Sequence, residues 1–79
     1  MIYDGLTYVC DHYRHLVCLP YSVDNLHRMA AALGLKRHWF HKSHYDIPVK
    51  RQAEITAKCR VVRSQEIVRI TRGTYVPQH

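Results

Sequence analysis

The sequence predicts an α/β protein with a small single-layer sheet and about three helices in βαβ-type alternation. Three observations predict it. Residues 22–33 repeat apolar side chains at helical spacing, short β-branched and aromatic runs flank that stretch, and glycine or proline marks most of the boundaries. Strands that alternate with helices in this way favour parallel pairing through right-handed crossovers. With 79 residues, 47% hydrophobic and 23% charged, the composition is that of a folded chain and not of a disordered one. A chain of this length makes one domain over 1–79 and hides only about 60% of the surface that it exposes when unfolded, so its core is small.

The elements follow in order. "MIY" offers a first short strand closed by Asp4 and Gly5, "TYVCDHY" suits strand or loop, and "RHLVCLP" is a second strand that stops at Pro20. The first helix covers 22–33. Val23, Leu26, Met29, Ala30 and Leu33 form one stripe, Ser22 is its N-cap, and Asp24 suits the positive N-terminal end. Gly34 ends it and Leu35 closes back onto the last turn.

The stretch "WFHKSHYDIP", residues 39–48, comes next. "HWF" supplies a strand, with Trp39 and Phe40 filling the core, and Asp46 caps a second helix from about Ile47 to Cys59 that tolerates Pro48 in its first turn. On that helix Lys50–Glu54 and Glu54–Lys58 are i, i+4 pairs, while Val49, Ala53, Ile55, Ala57 and Cys59 take the remaining arc. "RVVR", residues 60–63, reads as a short buried strand. Ser64 and Glu66 then start a third helix that runs to Gly73.

No apolar run reaches the roughly 20 residues that a membrane-spanning helix needs, and "MIYDGLTYVC" lacks the basic start and apolar block of a secretion signal. A soluble cytoplasmic protein with no membrane partner is expected. There Cys10, Cys18 and Cys59 stay reduced thiols. The formal charge of +6 is uneven: residues 36–79 carry ten Lys or Arg against Asp46, Glu54 and Glu66. Such a field favours an anionic partner, nucleic acid or an acidic protein surface. The groups expected to meet it are Arg37, Lys42, Lys50, Arg51, Lys58, Arg60, Arg63, Arg69 and Arg72. A second copy of the chain is the other partner to consider.

The leading functional expectation is therefore a non-enzymatic basic binding module. The alternative is a metal-assisted hydrolase or nuclease that uses Asp4, His41, His44 and Asp46, since strand ends of an α/β sheet gather ligands and these side chains can hold a proton or a cation. No resident cofactor is expected in the first case; zinc or another divalent ion serves the second. Cys10, His12, His15 and Cys18 are also zinc-ligand types, but they lie in one short segment whose strand periodicity sends them to different faces. His27, beside the apolar stripe of the first helix, reads as a rim histidine packed on a neighbour. Neither a glycine-framed serine nucleophile nor a phosphate-cradling glycine loop is present.

Several of these stretches occur together in a known family. "IYDG", "LHRMAAALGLKRHWFH", "HYDIPVKRQAE" and "RVVRS" resemble the domain-of-unknown-function family 4031, small bacterial and phage proteins, over most of residues 2–64. The resemblance picks out Asp4, His27, Trp39, Phe40, His44, Tyr45, Asp46, Lys50 and Arg51 as positions matching the family pattern. It implies a bacterial or phage source and carries no activity with it. Where the family commonly has an alanine–aspartate pair before the first long helix, this chain has "LPYS", residues 19–22.

Overall fold

A computed structural model describes residues 5–75 and the backbone of Ile2–Tyr3. The chain runs β1 (Ile2–Tyr3), β2 (Leu6–Cys10), β3 (His15–Leu19), α1 (Val23–Leu33), β4 (Phe40–His41), β5 (His44–Asp46), α2 (Gln52–Thr56), β6 (Arg60–Val61) and α3 (Ser64–Arg72). Single 3₁₀ turns at Arg37–Trp39 and Val49–Arg51 lead into β4 and α2. The α/β class and the three helices are as expected, and from β3 onward strands and helices alternate. The middle strand is a hairpin, β4–β5, instead of the single strand expected from "HWF".

Strand pairing departs from the parallel expectation. The sheet order is β1-β2-β3-β5-β4, with β6 also against β2. Only β2–β6 is parallel; the other four pairings are antiparallel. Turn length decides this. Parallel neighbours need a crossover of roughly a dozen residues or more, whereas β2–β3 and β4–β5 are joined by tight turns. Those turns contain Arg14 and Lys42 in the left-handed region, at φ 69° and 57°, without the glycine or asparagine that marks such turns in a sequence.

Both faces of the central strands are covered, which explains why "YVC" and "LVC" read as continuous apolar runs. Leu16 pairs with Cys10 and with Tyr45, and Cys18 with Tyr8, so these five share one face; Val9 and Val17 pair on the other. All seven are buried. On the first face α1 places His27 against Tyr45, with a 2.6 Å hydrogen bond between His27 Nδ1 and the phenol hydroxyl. That is the rim histidine anticipated from the helix pattern. Cys18 is fully buried in β3, and Cys59 packs half-buried against the core beside the Cys10 thiol. On the opposite face α3 lies against β3, burying Ile67 and Ile70.

α1 is built as its sequence indicates. Ser22 Oγ accepts from the Asn25 N–H at 3.0 Å, and Gly34 takes φ 74° while the Leu35 N–H donates to the Ala30 carbonyl at 2.8 Å. Leu26, Met29, Ala30 and Leu33 are buried, but Val23, on the first turn, is exposed.

The second helix is much shorter than Ile47–Cys59, and Asp46 does not cap it. Pro48 still has an extended ψ of 139°, so Asp46 belongs to β5 and is separated from the first turn by non-helical backbone. At the other end, N–H donations from Lys58 to Ile55 and from Cys59 to Thr56 tighten the chain into i→i+3 turns. "RVVR" is also not a buried strand: Arg60 and Val61 are exposed, and β6 pairs only with Val9 and Cys10 at the end of β2. Trp39 and Phe40 are half-buried against the core, not enclosed by it. α3 starts at Ser64 and ends at Gly73, at φ 75°, as predicted.

Candidate functional site

The register of three strands assembles a row of polar side chains on the α3 face of the sheet. His15 on β3 pairs with Asp46 on β5, and His44, two residues before Asp46, pairs with His41 on β4. Residues two apart on a strand share a face, so all four side chains stand on one side. The His15 and His44 rings meet edge to face with centroids 4.8 Å apart, His41 and His44 are 5.6 Å apart, and His44 Nε2 lies 3.1 Å from Asp46 Oδ1.

At the end of the row sits Asp11, only 3% exposed and the sole buried charged residue among those described. One carboxylate oxygen accepts from the Tyr13 and His15 backbone N–H groups at 2.8 and 3.0 Å, an Asx-type arrangement that shapes the β2–β3 turn. The other accepts from Ser64 Oγ and from the His15 ring, both at 2.7 Å. Burial acts to raise its pKa, but the bonds from Ser64, the His15 ring and the two backbone N–H groups outweigh it and hold the carboxyl below the ordinary range. An ionised carboxylate only accepts, so the His15 ring donates to Asp11 from Nδ1 and turns its Nε2 away from that carboxylate.

His44 is shifted downward. Burial is the main cause, with His15 and His41 adding to it and Asp46 opposing it, so the ring favours its neutral, electron-donating form. Among the described residues, His15, His44 and Asp46 form the one group of three whose donor atoms, one from each, lie within 4.8 Å of one another. Beside them opens a cleft of about 270 Å³ lined by His15, Ser43, His44, Ser64, Ile67, Val68 and Thr71. Its far wall is α3, in which residues 64, 67, 68 and 71 follow helical spacing.

Of the catalytic set expected from sequence, His44 and Asp46 are in contact, and His41 is an exposed neighbour of His44. Asp4 lies outside the described residues. His15, Asp11 and Ser64 were not in that set. The detectable signal was "DHYRH", an aspartate followed by two N–H groups that it can organise. The cysteine–histidine zinc reading fails because Cys10 and Cys18 stand on the face opposite His15, and His12 is exposed.

The expected anion-binding residues lie on several elements. Arg37, Lys42, Lys50, Arg60, Arg63, Arg69 and Arg72 are exposed, while Arg51 and Lys58 are partly covered. Among the described residues, only Arg51, to Glu54 at 2.7 Å, and Arg69, to Glu66 at 2.8 Å, have a carboxylate in ion-pair contact. No helix of the described residues is long and apolar enough to cross a membrane.

Fold and site together define a small mixed α/β protein with a histidine–carboxylate row beside an open cleft. The family model described as "Protein of unknown function (DUF4031)" matches residues 6–74, and the chain belongs to that family. No curated protein and no solved structure matches it.

Proposed function

We propose that this protein is a small basic binding module that engages nucleic acid in the cytoplasm. The observation that supports it is the spread of exposed cations: seven of the nine basic groups named above are exposed, and among the described residues only Arg51 and Arg69 are in ion-pair contact with a carboxylate. Among the described residues the exposed large apolar side chains are few, Tyr13, Val23, Val49, Val61 and Val68. Cations with little apolar surface suit a polyanion better than a protein interface, whose centre is depleted of charge. Fluorescence anisotropy with labelled single- and double-stranded oligonucleotides tests this. Affinity should fall steeply with salt and be lost in the quadruple variant Lys50→Glu, Arg60→Glu, Arg63→Glu, Arg72→Glu, which alters exposed residues only. No binding at low salt removes nucleic acid and leaves an acidic protein surface as the partner.

A second reading, a metal-assisted hydrolase or nuclease, is favoured by one observation. The donor atoms of His15, His44 and Asp46 converge beside the cleft, and the helix that walls it also carries Arg69 and Arg72. A metal there would polarise a phosphoryl oxygen or activate a water. Cleavage of an ester or nucleic-acid substrate should then require a divalent ion and disappear in His44→Ala. No turnover with any divalent ion rejects this reading.

A further inference from the structure

We propose that His15, His44 and Asp46 form a binding site for a zinc-class divalent ion, and that Asp11 and Ser64 orient His15 toward it. The inference uses the cluster of the second reading but does not depend on hydrolysis. An ion bound by these ligands without cleavage of any substrate sinks the enzyme reading alone and leaves the site standing.

The donor set selects the metal. Two imidazoles and one carboxylate suit Zn²⁺ and its neighbours among the transition ions, whereas Mg²⁺ and Ca²⁺ require oxygen-rich shells. Three protein ligands leave a coordination position open, and two of them, His15 and His44, line the cleft from which a further ligand would reach it. Spacing agrees with this. Donors about 2.1 Å from one ion are separated by roughly 3.0–3.4 Å at octahedral to tetrahedral angles. His44 Nε2 and Asp46 Oδ1 are already 3.1 Å apart, in a hydrogen bond whose proton the ion would replace. One donor atom from each of the three residues lies within 4.8 Å of the other two, so an ion would draw them together by roughly 1–2 Å.

The groups behind His15 carry the argument further. A histidine that binds a metal through one nitrogen commonly donates its other N–H to a carboxylate, which fixes the tautomer and raises the basicity of the ligand. Asp11 holds His15 in that way, at 2.7 Å from Nδ1, and Ser64 donates to the same carboxylate oxygen from the start of α3. The side chain of Asp11 is 1% exposed and that of His15 38%, so the orienting group is sealed and the donor ring reaches the cleft.

Asp11→Asn separates orientation from folding. An asparagine oxygen still accepts from the Tyr13 and His15 backbone, but its NH₂ then faces the His15 ring and favours the tautomer with the proton on Nε2. The lone pair meant for the metal is lost while the turn survives. Titration calorimetry of the full chain with ZnCl₂, and visible absorption with Co²⁺, make the test. One ion per chain is expected in the parent protein. Binding should be lost in His15→Gln, whose amide can still bond to Asp11, and in His44→Ala. It should weaken about 10–100-fold in Asp11→Asn and be unchanged in His12→Ala. Circular dichroism establishes that each variant is folded. No ion bound by the parent, or binding that survives both histidine substitutions, overturns the site. Parental affinity in Asp11→Asn overturns the role given to Asp11.

Discussion

Truncating Asp11 to alanine should remove a large part of the stability of the metal-free protein. Its carboxylate accepts four hydrogen bonds, two from backbone N–H groups of the β2–β3 turn and two from the side chains of His15 and Ser64. Without it the ring and the hydroxyl can turn to water in the cleft, but the Tyr13 and His15 N–H groups are fixed by the turn. A part-buried donor left without a partner costs up to the roughly 1–3 kcal/mol of a fully buried one, and removing one member of a buried charged network costs about 3–5 kcal/mol. A loss of about 3–5 kcal/mol is therefore expected against a total of roughly 4–12 kcal/mol for a chain of this length. Asp11→Asn keeps the turn acceptor and should lose only about 1–2 kcal/mol. The sign of the pH dependence follows from the depressed carboxyl. Its contribution is complete above the unfolded carboxylate value, about pH 4, and is lost as pH falls through the lower folded value. The advantage of the parent over Asp11→Asn should shrink on that acid limb. Urea unfolding followed by circular dichroism, with EDTA present, measures all three proteins. A loss below about 1 kcal/mol in Asp11→Ala, or an advantage over Asn that persists unchanged into acid, refutes this account of the turn.

Two further outcomes follow from burial. Trp39→Ala should cost about 2 kcal/mol by urea unfolding, below the roughly 3–5 kcal/mol of an enclosed tryptophan, because the ring only half-packs on the core; a chain that fails to fold would mean that Trp39 is a full core residue. Burial pushes the Cys18 thiol up to about 11, against smaller opposing effects from the Ser22 backbone and Arg28, so a mapped alkylation at pH 8 should modify Cys18 only as fast as the protein unfolds. Rapid labelling of the native chain at Cys18 would show that β3 is not closed.

Helices were more legible than strands, and local signals explain the difference. Ser22, the apolar stripe and Gly34 are all within α1 or at its ends, so their meaning needs no distant partner. The same holds for Gly73 at the end of α3. α2 was overestimated because charge pairing over 50–58 continues past the point where the backbone tightens at Ala57–Cys59. Asp46 before Pro48 resembles a cap, yet the extended Pro48 leaves that carboxylate free to meet His44. The antiparallel sheet was hidden by its turns, since Arg14 and Lys42 adopt left-handed geometry that a sequence normally announces with glycine.

The site was only half legible for a related reason. His44 and Asp46 are two residues apart and could be noticed together, but His15 reaches them across the β3–β5 ladder and Ser64 reaches Asp11 across 53 positions of chain. Register determines which side chains meet. A one-residue slip of β5 would set His15 opposite Tyr45 or Ile47, turning buried apolar side chains out and His44 and Asp46 inward. Burial of Leu16, Tyr45 and Ile47 thus penalises any alignment that breaks the row. The Ile47 N–H donates to the Arg14 carbonyl at 2.8 Å and the Arg14 guanidinium donates to the Ile47 carbonyl at 3.3 Å, pinning the same register one step beyond the His15–Asp46 pair. The polar row is therefore held in place by the apolar face behind it, and the residues that define the site chemically are positioned by neighbours with no part in its chemistry.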